Sequence, residues 1–70
     1  MKVVLKEYYI EDCVIYDGIR DAGAAVDEHS LVEVVDVMQD HIEMDYDRVR
    51  AWACSVAHDL LIDGDIEEGE

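Results

Sequence analysis

The side chains best spaced for chemistry lie in one stretch, Met44 to Ile66 (MDYDRVRAWACSVAHDLLIDGDI). Cys54 and His58 stand four residues apart, so on a helix they share a face and offer a thiolate and an imidazole to one ion. Two ligands do not complete a structural zinc site, and the chain has neither C-x-x-C nor H-E-x-x-H to supply the others. Asp63-Gly64-Asp65 matches a fragment of a calcium loop without the rest of its ligand set, and reads as a helix-ending turn. His41 falls beside an apolar helical row and His29 ahead of a helix cap, so neither adds a ligand. Ser30 is better used as a cap than as a nucleophile, and no glycine-rich phosphate loop occurs. The expectation is a non-enzymatic chain with no catalytic residue, metal, cofactor or small-molecule substrate.

What the stretch does offer is contact. Val49, Trp52, Ala53, Val56 and Leu60 recur at three- and four-residue spacing and mark the buried face of a helix. Asp47, Ala51, Cys54, Ser55 and His58 then point outward with Leu61 at their edge, a row of small residues that lets a partner helix approach. Arg48, Arg50, Ser55 and His58 could instead donate hydrogen bonds to phosphates or base edges. Asp36, Asp40 and Glu43, on a neighbouring helix, form a third candidate, an acidic surface that imitates nucleic acid.

The elements that must position these residues follow from local signals. Asp45 is a good N-cap, Met44 and Val49 can staple across it, and Gly64 stops the helix, with Ile66 turning back onto the core. Met1 to Lys6 reads as a short strand or an extended arm. A first helix is expected from Glu7 to about Ala22, with Tyr9, Cys13, Tyr16 and Arg20 in one row, Ile10, Val14 and Ile15 beside it, and Gly23 as its stop. Ala24 to His29 is a connection. Ser30, with Glu33 three residues on, opens a second helix as a capping box, followed by Leu31, Val34, Val35, Met38 and Ile42 at helical spacing. About two residues separate it from the third helix. Ile62 to Glu67 is expected to extend and pair near Val3 or Val26, and residues 67–70 form an acidic tail.

Seventy residues make one small domain, residues 1–70, which buries only about 60% of its unfolded surface. Its 51% hydrophobic content is nevertheless enough for a packed core. Nineteen acids against five bases give a net charge of −14, which leaves salt adaptation, a functional negative surface and an acidic tail as competing explanations. Cys13 and Cys54 are too few and too far apart for a disulfide scaffold, and read as small buried thiols in a reducing cytosol. Glu7, Glu11 and Asp12 soon follow Lys2, and no run is long enough to span a bilayer, so a cytoplasmic protein off the membrane is expected.

Helix, short connection, capped helix, tight turn, longer helix and then Leu60, Gly64 and Ile66 resemble the winged helix-turn-helix domains over residues 10–67. The ending LLIDGDIEEGE looks particularly like small acidic winged-helix proteins of halophilic archaea and their viruses. The resemblance implies a mainly α, compact three-helix domain whose third helix reads DNA. Here the second helix is longer than usual, and the wing is truncated to half at most. The scarcity of Lys and Arg opposes DNA binding, and a protein partner or a homodimer is expected ahead of it. DNA binding through the third helix and an acidic DNA mimic occupying a basic host protein stand as alternatives.

Overall fold

A computed structural model describes residues 2–5, 8–38 and 46–69, with side chains described over residues 13–38 and 46–69. Two strands, β1 (Lys2–Leu5) and β2 (Tyr8–Glu11), precede three helices, α1 (Asp12–Asp21), α2 (Glu28–Met38) and α3 (Tyr46–Asp63). The chain is thus mainly helical. Its three helices close around one core of Val14, Ile15 and Ile19 from α1, Leu31, Val34 and Met38 from α2, and Val49, Ala53, Val56, Ala57 and Leu60 from α3. Trp52 and Val35 pack half-buried against this core.

The expected start of the first helix is corrected. Tyr8–Glu11 is a strand, paired antiparallel with β1 in the register Lys2–Glu11, Val3–Ile10, Val4–Tyr9 and Leu5–Tyr8. Aromatic and β-branched residues favour a pleated pair over the first turn of a helix. With α1 starting only at Asp12, the expected row of Tyr9, Cys13, Tyr16 and Arg20 is not the buried one. Val14, Ile15, Gly18 and Ile19 face the core, whereas Cys13 and Arg20 are exposed. Neither cysteine is a fully buried thiol, because Cys54 is also only half-buried.

The cap of α2 is corrected as well. Ser30 lies in the first turn, and Asp27 closes the helix by accepting a hydrogen bond from the Ser30 backbone N–H at 2.7 Å. The Asp27 carbonyl also accepts the first helical bond, from Leu31 N–H at 3.0 Å. His29 is therefore a first-turn residue, exposed, and not ahead of the cap. The Ser30 backbone bond, followed by its side-chain bond, holds the Asp27 carboxyl below its ordinary value of 3.8. A depressed carboxylate contributes stability above its unfolded pKa and loses it as pH falls through the folded one. Asp27→Ala is therefore expected to lower the melting temperature by a few degrees at neutral pH. Thermal melts down a pH series should show that gap closing below 3.8; a gap constant into acid would refute the charged cap.

Both expected glycine stops are present. Gly23 and Gly64 sit at φ 86° and 82°, where a side chain would be strained. At each, the glycine N–H bonds to the carbonyl three residues back, Arg20 at 2.9 Å or Leu61 at 3.2 Å. The next N–H bonds five back, Ala24 to Ile19 at 3.2 Å and Asp65 to Leu60 at 2.9 Å. This is the Schellman closure used twice. Each exit then sends an apolar residue inward, Ala24 and Ile66.

The two exits are also tied to each other. Ala25 N–H donates to Glu67 O at 2.8 Å and Gly69 N–H to Gly23 O at 2.9 Å, around an antiparallel bridge between Ala24 and Glu68. Of the two expected places for the C-terminal segment, it takes the one beside Val26, while Val3 is paired with Ile10. The paired residues are 67–69, because Ile62 and Asp63 still belong to α3. The Glu67 and Glu68 side chains are exposed, but their backbone is not a free tail. Asp45, Met44, Ile42 and the tight turn expected between the last two helices lie outside the described residues.

Candidate interaction faces of the third helix

α3 is held between its neighbours by a buried face of small residues. A Cβ placed on Gly18 of α1 would lie 2.5 Å from both the Ala53 Cβ and the Arg50 carbonyl oxygen, and 3.0 Å from the Cys54 nitrogen. The backbones of α1 and α3 therefore touch where Gly18 meets Ala53 and Cys54. Part of the small-residue row on α3 thus already receives a helix, and that helix is α1 of the same chain.

Polar contacts flank this crossing. The Tyr46 hydroxyl donates to Asp17 Oδ2 at 3.3 Å, and Arg50 Nε donates to Asp21 Oδ2 at 2.8 Å. Asp17 also accepts from Arg20 Nη1 at 3.3 Å. Asp17 and Asp21 are one turn apart on α1, as Tyr46 and Arg50 are on α3, so the helices run in the same sense and meet at matching intervals. The Asp21 carboxylate raises the pKa of the Arg50 guanidinium, and desolvation followed by the Asp17 charge raises that of the Tyr46 hydroxyl. Gly18, Asp17, Asp21 and Tyr46 were not singled out by sequence. The available signal was the shared four-residue spacing of the two pairs.

Elsewhere on α3, Asp47, Ala51, Ser55 and His58 are exposed, whereas Cys54, beside the contact with Gly18, and Leu61 are half-buried. Leu61 packs against the core. Of the candidate DNA contacts, Arg48, Ser55 and His58 are exposed, and Arg50 is bonded to Asp21 across the helix pair. Asp59 and Asp63 continue the exposed surface beyond His58. Of the candidate acidic surface, Asp36 is exposed on α2, while Asp40 and Glu43 lie outside the described residues, as does His41. Val32 and Val37 leave apolar area in solvent on α2, and Ile62 does so at the end of α3.

Among the described residues, no three His, Cys, Asp or Glu side chains are grouped to hold a metal ion. None of the described helices is long and apolar enough to cross a membrane. No protein-family model, curated protein or solved structure matches the chain.

Proposed function

We propose that the chain is a non-enzymatic, winged-helix-like binding module of the cytoplasm, regulatory or transcription-related, that acts through protein contacts. Its docking surface is the outer row of α3, Asp47, Ala51, Ser55 and His58, with Cys54 and Leu61 at the margin. The carrying observation is how α3 uses its arginines. Arg50 is engaged by Asp21 of its own chain, in a molecule with five bases against 19 acids. Affinity for DNA comes largely from Lys and Arg neutralising phosphates, and this surface supplies few while adding Asp47, Asp59 and Asp63. Small exposed residues between those acids suit the close approach of another protein's helix.

A second reading, DNA binding, draws on the exposure of Arg48, Ser55 and His58 along one helix. One pair of experiments separates the two. Affinity capture with the tagged full chain should retain a host protein that Ser55→Trp releases, with helical circular dichroism unchanged. Fluorescence anisotropy with genomic fragments should show no saturable binding across a salt series. Saturable binding lost in Arg48→Ala and His58→Ala would overturn the protein-contact reading in favour of DNA.

A further inference from the structure

The acidity of this chain is not spread over its whole length. Residues 1–11 contain Lys2 and Lys6 against Glu7 and Glu11, and so carry no net charge; the entire −14 falls on the rest. The neutral segment is the one that contains the paired strands β1 and β2. Alternate residues of a strand belong to opposite faces. The register therefore assigns Val3, Leu5, Tyr8 and Ile10 to one face, and Val4 and Tyr9, with the Lys2–Glu11 pair, to the other. Apolar residues thus fall on both faces of a two-stranded ribbon. Such a ribbon alone is marginally stable in water and needs further strands or a packed neighbour. β2 runs directly into α1 and packs against it, and the described sheet has no third strand.

We propose that β1 pairs antiparallel with β1 of a second copy of this chain, giving a four-stranded sheet in the order β2-β1-β1-β2 between two helical bodies. The proposal goes beyond the α3 docking surface and names a second contact, with its own partner and its own strand. Charge selects the occupant. Two bodies at −14 repel wherever they approach, except through the neutral ribbon, whereas a basic protein would be drawn to the body. Charge also selects the strand. Lys2 lies in β1 and Glu11 in β2, so joining through β1 places the lysine-bearing strands between the acidic bodies. Among the described residues the edge of β1 away from β2 has no partner strand, and such an edge offers the backbone groups for the ladder.

Sedimentation equilibrium of the full chain, at low and at molar salt, should give twice the 8.0 kDa chain mass, with tighter association in high salt. Val4→Lys should weaken dimerisation by about 100-fold or more while leaving the helical circular dichroism intact, because an edge lysine opposes strand addition. Mixing isotope-labelled and unlabelled wild-type chains should give intermolecular nuclear Overhauser effects between β1 residues, a readout that does not depend on the variant folding. A monomer in both salts, a dimer indifferent to Val4→Lys, or intermolecular effects confined to α2 or α3 would overturn the proposal. A monomer that still captures a partner released by Ser55→Trp would sink the β1 dimer alone. A β1 dimer that captures nothing would sink the α3 docking surface alone.

Discussion

Gly18→Ala is expected to destabilise the domain by about 2 kcal/mol, although alanine is the better helix former by roughly 1 kcal/mol. The two effects have opposite signs, so the experiment decides which one governs this position. Propensity acts on the α1 backbone alone. Packing sets the new methyl 2.5 Å from the Ala53 Cβ and equally close to the Arg50 carbonyl oxygen. A carbonyl inside a helix cannot swing aside, so α1 and α3 must separate and loosen Ile15, Ile19, Val49 and Ala53, all fully buried. A domain of this size has a total stability on the order of 4–10 kcal/mol, so Gly18→Val, with two further methyl groups, is expected not to fold. Urea denaturation followed by circular dichroism reads both variants. Adding Ala53→Gly to Gly18→Ala removes the Cβ clash and leaves the carbonyl clash, so it should restore only part of the midpoint. A Gly18→Ala midpoint above wild type would show that the helices do not meet at this glycine.

This crossing also marks the boundary of what the sequence discloses. Val49, Ala53, Val56 and Leu60 are legible because burial on one helix leaves a 3.6-residue period, and Gly23 and Gly64 because a left-handed stop favours glycine. Gly18 lies inside a helix, where its local meaning is only a weak propensity. Its role comes from Ala53, 35 positions further on, and no periodicity connects them. Tyr8-Tyr9-Ile10 fails for a different reason. The residues suit a helical row as well as a strand, and pairing with Lys2–Leu5 decides the matter without any Gly, Asn or Pro between the strands to announce a turn. At α2, Asp27 and Ser30 both have a cap-type side chain with a partner three residues on. The earlier one wins, with Leu31 bonded to its carbonyl and Ser30 buried within the first turn. Of the candidate site, the outward direction of Asp47, Ala51, Ser55 and His58 was legible from the same period. The engagement of Arg50 by Asp21 was not, because it depends on how two helices cross.

Added salt is expected to raise the melting temperature by more than about 10 °C between low and molar KCl, through screening of the body's own charge. Among the described residues, Arg20 pairs with Asp17 one turn back within α1 and Arg50 of α3 pairs with Asp21 of α1, and the members of these pairs are between 35% and 68% exposed. Exposed pairs of this kind are screened by solvent and contribute too little to offset an excess of fourteen negative charges. Screening is what distinguishes this from a general effect of cosolute on apolar burial. The Debye length falls from about 10 Å at 0.1 M to about 3 Å at 1 M, so most of the rise should come below 1 M and then flatten. Sucrose, which is excluded from protein surfaces without screening charge, should give a steady rise with no such plateau. A melting temperature flat in KCl, or one that follows sucrose, would reject self-repulsion as the main cost of this composition. The same series separates the binding readings by sign. Salt should tighten a dimer formed between like-charged bodies and weaken any complex held by phosphate contacts, so the direction of the response reports which partner the surface meets.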